Sequence, residues 1–303
     1  MKQGVTKSQF FHSHTHSYFS SLDAISSVEQ LVSKAAKMKQ PALALTDHGN
    51  MSGTVELYKA GKKHGILTYP GTEAYLCTEQ ITDAKECGKF QRYHIGLLAL
   101  SLDGYRDLVK LSSLSHTRPR FNRFPRFDLS DLANLAGNKD IAVLTGCVSG
   151  LPIQTLLKQG PEAAMRIIAT YAMWFPNTFV EIQNHGNTWE SESANGFVTD
   201  SQISKALVRI ADDLGLPVMV TQDSHYCNSH QRHAHNLMKR MVYGKEENSE
   251  FSGDSFHLAT IDWVREHHHK KHWNRAEEGA ERLLELHRLE LPALEKFKAH
   301  IPS

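Results

Sequence analysis

The chain has 303 residues and a mass of 34.1 kDa, with 40% hydrophobic and 22% charged residues; this is enough to bury a large core as one big domain or two ordinary ones, and it excludes disorder and collagen-like order. Lys plus Arg number 34 against 33 Asp plus Glu, a net charge of +1, so any nucleic-acid contact has to come from a local patch. No apolar run reaches the roughly eighteen residues of a membrane span and the start lacks the apolar stretch of a signal peptide, so a cytoplasmic protein without membrane contact is expected.

In chain order, short apolar runs bounded by turn residues predict buried strands near residues 9–13, 42–46, 66–70, 94–100, 141–145, 178–182 and 217–221. Amphipathic patterns between most of them predict helices over Val28–Met38, Gly53–Lys63, Tyr105–Leu114, Glu162–Trp174 and Ile203–Leu214, with later helices around His230–Val242 and Ala276–Leu289. Alternating strands and helices point to a parallel α/β architecture. The segment 77–92 is too polar and short for a helix, so the runs on either side of it are expected to form a hairpin. No internal repeat or low-complexity linker divides the chain. We therefore expect a barrel over residues 1–260 and a helical C-terminal extension over 261–303.

The 19 histidines exceed ordinary usage, and imidazole is the commonest metal ligand. In a barrel the C-terminal strand ends converge on one face, and here those ends carry metal-binding side chains: His12, His14, His16 and Asp23, then Asp47 and His48, then Glu73, Cys147, Glu181, His185, Asp223 and His225. His94 opens its run instead of closing it, which suits a strand antiparallel to its neighbours. Any one of these residues alone is readily a cap, a turn former or a satisfied core group. Their joint placement is not, because capping has no use for a thiol or paired imidazoles. In extended chain His14 and His16 share a face, and His12 shares it or supports it. Mixed imidazole and carboxylate donors suit Zn, Mn or Fe, and so many donors imply two or three divalent ions, the usual apparatus for hydrolysing phosphate esters. The four cysteines, Cys77, Cys87, Cys147 and Cys227, include no closely spaced pair and are too few for a disulfide scaffold, so they are read as reduced.

The segment from His12 to Asp23 (HSHTHSYFSSLD), Leu45–Gly49 (LTDHG), Pro70–Tyr75 (PGTEAY), Gly146-Cys147 and Thr221–Tyr226 (TQDSHY) resembles the PHP (polymerase and histidinol phosphatase) domain. The likeness is closest to the N-terminal PHP domain of bacterial C-family replicative polymerases, the alpha subunit of DNA polymerase III. Tyr58–His64, Gly104–Ser113 and Glu181–Gly186 carry the same resemblance, which runs from about Phe10 to Phe256 and weakly toward Lys296. It implies a distorted (β/α)7 barrel with a trinuclear centre. One site would take His14, His16, Glu73 and Asp223, a second Glu73, His94 and Cys147, and a third Asp23, His48 and His225, with His14, His16, Glu73, Asp223 and His225 as the catalytic set. Glu181 and His185 would support ligating imidazoles or touch substrate, and His12 and Asp47 join them.

The resemblance further implies a 3′-5′ exonuclease of proofreading type in DNA replication, with metal-bound hydroxide attacking the terminal phosphodiester. The chain stops where a polymerase palm would begin, so it would not polymerise alone and could partner a replicative polymerase chain. Arg118, Arg120, Phe121, Arg123, Phe124, Arg126 and Phe127 interleave cations and aromatics as a single-stranded DNA groove needs; the competing reading is a loop packing its phenylalanines on the barrel. Other functions weighed are a small-molecule phosphomonoesterase, histidinol-phosphatase-like or acting on nucleotides, and a non-catalytic module supporting a split polymerase. The run His267–His272 reads as a solvated helix face rather than a ligand set.

Overall fold

In the computed structural model, which describes residues 8–243 and 255–290, the buried apolar runs form one curled sheet. Strand β1 (Ala42–Leu45) lies parallel to β2 (Leu67–Cys77), β2 antiparallel to β3 (Tyr93–Ala99), and β3 antiparallel to β5 (Ile141–Leu144). The parallel sense then resumes through β6 (Thr178–Ile182) and β9 (Val218–Val220), while the two-residue β4 (Phe127–Asp128) pairs with the end of β2. The expected hairpin and the reversed sense of the strand opening at His94 are both present. Strands such as ALAL and IAVL are buried along their whole length, because helices cover the sheet's outer face while side chains fill its inner one.

The first run is not a strand. Residues 9–13 are extended, and the chain there fills the gap between β1 and the segment after β9. Ala44 N–H donates to His12 O (2.9 Å) and Thr46 N–H to Thr15 O (2.9 Å) on one side, while His16 N–H donates to Ser224 O (2.8 Å) on the other. The ladder is interrupted because Thr15 N–H bonds the Thr46 hydroxyl instead of a backbone carbonyl. The segment therefore closes the barrel without regular strand pairing.

Helices follow their caps. Helix α1 (Val28–Lys37) begins at the Ser27–Gln30 capping box, and α8 (Asp200–Leu214) at the Thr199–Gln202 box. Helices α2 (Thr54–His64), α4 (Leu102–Ser115) and α7 (Pro161–Trp174) occupy their predicted places. Several short or apolar elements were not predicted. Helix α6 (Leu151–Gln159) is so apolar that it carries little periodic contrast, the exposed hairpin of β7 (Thr188–Ser191) and β8 (Gly196–Thr199) has no core face to announce it, and α3 (Ala84–Cys87) is a single turn capped by Asp83. The short helices α5 (Leu129–Ala133) and α10 (Ile261–Glu266) complete that part of the chain.

Helix α9 (Arg232–Tyr243) follows a short 3₁₀ turn, and α11 (Lys270–Glu285) starts and stops earlier than its pattern suggested. The His267–His272 run is split: His267–His269 join α10 to α11, and the His269 side chain caps α11 by accepting from Lys271 N–H. Residues 291–303 of the expected extension, and Lys296 with them, lie outside the described residues. Within them α11 buries Trp273, Ala276, Ala280 and Leu283 against the barrel core. Gly279 lets the backbones meet, since a Cβ there would stand 1.9 Å from Val218 O. Gly279→Ala is therefore expected to cost about 2–3 kcal/mol, read as a lowered midpoint in chemical denaturation. No helix among the described residues is long and apolar enough to cross a membrane.

Candidate metal centre

One end of the barrel gathers side chains from six parts of the fold around Glu73. Glu73 sits inside β2, fully buried, and its N–H donates to the carbonyls of Thr46 and Asp47. His14 and His16 project from the closing segment, two residues apart and on one side. His48 follows β1, His94 lies in antiparallel β3, Cys147 follows β5, and Asp223 and His225 follow β9. Gly146 makes the Cys147 turn possible: its φ is +95°, and a Cβ would lie 2.5 Å from His94 O. Asp223, a non-glycine residue at φ +45°, takes an uncommon conformation at the point where its carboxylate joins the cluster.

The distances are those of one cage. Glu73 Oε1 lies 2.9 Å from His94 Nδ1, 3.3 Å from His14 Nε2 and 3.4 Å from Cys147 Sγ, and Oε2 lies 2.8 Å from His48 Nδ1 and 3.6 Å from His16 Nε2. Asp223 Oδ1 approaches His16 Nε2 at 3.0 Å and His14 Nε2 at 3.3 Å. Asp23 Oδ2 meets His48 Nε2 at 2.8 Å, and the His225 ring stacks on His16 at 4.5 Å. Three overlapping triads, His14–His16–Glu73, His48–Glu73–His94 and His16–His48–His225, each hold their ligand atoms within 4.8 Å. All nine residues expected as ligands are thus brought together.

These residues fit divalent cations better than they fit one another. His48 Nδ1, Glu73 Oε2 and Asp223 Oδ1 are buried and make no hydrogen bond among the described residues, although each has a charged or polar neighbour within about 3 Å. Atoms so close yet misaligned face a shared point instead of a partner, as ligand lone pairs do. Burial and mutual charge set the protonation of these groups. Burial lowers the His14 pKa, but Asp223, Glu181 and Glu73 outweigh it and raise it well above the ordinary value. Burial also opposes ionisation of Asp223, yet His14, His225 and His16 hold its carboxyl far below the usual range. Burial takes His225 down to about 3, and burial with Glu73 and Asp223 pushes the Cys147 thiol up. Asp223 is thus held ionised and His225 neutral, the states that ligation requires, whereas His14 and the Cys147 thiol would each give up a proton to a bound cation.

Around the cage stand residues that orient it. Glu181 on β6 accepts from His14 Nδ1 (2.6 Å), Gln183 (3.0 Å), the Thr221 hydroxyl and Gly146 N–H (3.1 Å), which turns His14 Nε2 toward the centre. Asp47 accepts from Ser17 N–H and from the hydroxyls of Ser17 and Ser20, and Ser20 in turn contacts His16 Nδ1 at 3.1 Å. Glu181→Gln is expected to weaken metal binding about 10–100-fold, measured by metal titration.

Of two further expected supports, one faces elsewhere and the other, His185, stands at the cage's edge, where Asp223, His14 and Glu181 act on its charge. His12 bonds Ala259 O (2.9 Å) and packs edge-on to Phe10, and burial takes its pKa down to about 4; it ties the closing segment to the core and does not share the face of His14 and His16. His185 contacts the Ser255 hydroxyl (2.8 Å), stacks on Phe256 and donates its N–H to Asp200, so it borders the cage through Phe256, whose ring lies 5.9 Å from that of His225.

The arginine-rich loop also needs correction. Arg126 is buried and donates to the carbonyls of Asn122 and Phe124, Arg120 forms a two-pronged ion pair with Asp131, and Phe127 lies in the core. These side chains build the loop and are unavailable as a DNA-binding surface. Arg118, Phe121 and Arg123 remain exposed. Phe124 anchors the loop beside the cage, against Tyr75, whose ring is 5.3 Å from His94, and under the Arg92 guanidinium at 3.8 Å. Arg92 and Tyr75 escaped the sequence reading, as did Lys239 and His235 of α9, which pair with the Asp23 carboxylate and carbonyl. Only the last two carry a signal, a spacing of four that puts them on one helical face.

Residues 12–185 match the PHP domain family model, and this stretch supplies His14, His16, Asp23, His48, Glu73, His94 and Cys147. The chain is 32% identical to the DNA polymerase III subunit alpha of Borreliella burgdorferi over 253 residues, covering 80% of this chain and 20% of that one. The same subunit of Thermus aquaticus is 28% identical, covering 98% and 24%. The chain thus spans only a fifth to a quarter of the length of these relatives. A solved structure from Bifidobacterium adolescentis, provisionally named a metal-dependent phosphoesterase, is 14% identical with a TM-score of 0.43, covering 84% of this chain and 94% of that one. The family match spans seven of the nine residues of the cage and more than half of the chain, and the chain belongs to the PHP domain family.

Proposed function

We propose that the chain is a metal-dependent phosphoesterase that hydrolyses phosphodiesters at DNA 3′ ends, with two or three divalent ions held by His14, His16, Glu73 and Asp223, by Glu73, His94 and Cys147, and by Asp23, His48 and His225. The observation carrying this reading is the convergence of those buried imidazole, carboxylate and thiol groups on Glu73. When bound, such ions neutralise phosphoryl oxygens and acidify water. The chain's own residues do the rest. Glu73 lies between two ligand sets, Glu181 and Asp47 with Ser20 fix the orientations of His14 and His16, and the walls exclude bulk water from one side. His14, His16 and Glu73 are fully buried, whereas Asp223, His48, Asp23 and His94 are 11–19% exposed, so a substrate meets the cage on that side.

That open side adjoins Tyr75, Arg92 and the 118–126 loop. Exposed Arg118 and Arg123 can hold backbone phosphates there and Phe121 can stack a base, which favours a DNA end over a small monoester and makes single-stranded DNA the expected partner. The likeness to DNA polymerase III alpha subunits supports association with a replicative polymerase. In this reading residues 1–260 form the catalytic barrel and 261–303 its helical extension.

Protein loaded with Mn or Zn, given 3′-labelled single-stranded and mismatched DNA beside a chromogenic monoester, tests the proposal. Release of single nucleotides, abolished by His14→Ala or Asp223→Ala with the fold retained, is the expected result. Turnover of the monoester alone would point to a phosphatase, and no turnover with any metal to a structural module.

A further inference from the structure

The corner of the cage formed by Asp23, His48 and His225 differs from the rest in already holding the ammonium of a lysine. Asp23 uses Oδ2 for His48 Nε2 at 2.8 Å and Oδ1 for the ammonium of Lys239, while His235 Nε2 bonds the Asp23 carbonyl at 2.8 Å. His235 and Lys239 stand four residues apart on α9 and share its inward face. Both are buried, Lys239 with 7% of its surface exposed. Glu73 and Asp223, by contrast, are surrounded by imidazoles and the Cys147 thiol, with no lysine or arginine among their contacts within the described residues.

A divalent ion on Asp23 would meet the positive charge of Lys239 across a single carboxylate. Like charges at such separation repel more strongly in a poorly solvated site than in water. An ammonium withdrawn from Asp23 without a new partner leaves a buried charge uncompensated, which is also costly.

We propose that Lys239 competes with a metal ion for Asp23: its ammonium holds this corner when only the sites on Glu73 are filled, and an ion binds Asp23, His48 and His225 only by displacing it. The inference rests on the reading of the cage as a metal centre. It makes that centre unequal, with tight sites around Glu73 and a weaker, exchangeable one under α9. Because α9 is clamped to Asp23 at both carboxylate and carbonyl, filling the weak site loosens the helix.

The test is titration of the full chain with Mn²⁺ alone, following bound metal by elemental analysis and affinity by calorimetry. Wild type is expected to bind its last ion about tenfold or more weakly than the others. Lys239→Met is expected to tighten that ion by a similar factor, and Lys239→Arg, which keeps the charge, to leave it weak. If Lys239→Met fails to fold, amide hydrogen exchange on wild type gives a second measure: α9 is expected to exchange faster when excess Mn²⁺ fills the last site. Equal affinities in wild type, an unchanged or weaker last ion in folded Lys239→Met, or α9 exchange unmoved by Mn²⁺ would each overturn the proposal. Unchanged metal content in Glu73→Gln would instead overturn the reading of the cage itself.

Discussion

Glu73→Gln is expected to be the most damaging single substitution in the chain, removing most bound metal and slowing phosphodiester hydrolysis on the order of 10³-fold, equivalent to about 4 kcal/mol of barrier. The change is nearly isosteric, so packing survives and the effect isolates charge. Glu73 is fully buried and touches His14, His16, His48, His94 and Cys147. An amide has one ligand oxygen and no charge where the carboxylate has two oxygens and a full negative charge. Both ligand sets that share Glu73 are weakened together, whereas Asp23→Asn removes a ligand from one corner only. Elemental analysis and turnover of 3′-labelled DNA check it. Full metal content in a folded Glu73→Gln protein would show that Glu73 bridges nothing.

Stripping metal with a chelator should abolish hydrolysis and lower thermal stability by on the order of 10 °C. An ion held at a free concentration a thousandfold above its dissociation constant contributes about 4 kcal/mol to the folded state, and for a chain of this size each kcal/mol shifts the melting temperature by a few degrees. The loss is partial because the ion-free cage compensates within itself: the carboxylates around His14 favour its protonated form despite burial, and that charge takes up part of the work of a cation. Mn²⁺ or Zn²⁺ should restore both properties and Mg²⁺ or Ca²⁺ should not, since imidazole and thiol donors match the softer ions. A melting temperature indifferent to chelation would contradict this.

The expected hairpin flanking residues 77–92 and the reversed strand at His94 illustrate what local pattern can carry. Both followed from the length and polarity of a connection and from a donor residue at the start of a run instead of its end. The ligand motifs were equally legible, because each cluster sits within a few residues of a strand end and barrel topology leaves those ends one place to meet. The loop at 118–127 shows the opposite. Alternating Arg and Phe looks the same whether the guanidiniums face solvent or the loop's own carbonyls, and Arg126 and Arg120 turned out to be committed to Asn122, Phe124 and Asp131.

From the amino-acid order alone came the α/β alternation, the family resemblance and the nine groups able to bind metal, since all of these depend on residue type and short-range spacing. Only the tertiary structure decided that residues 9–13 close the barrel without strand pairing, that His12 faces away from the centre, and that Lys239 reaches Asp23 from a helix 216 positions away. Those outcomes depend on which side chains compete for the same hydrogen bonds and charges once distant segments are brought into contact. Spacing along a chain holds no record of that competition.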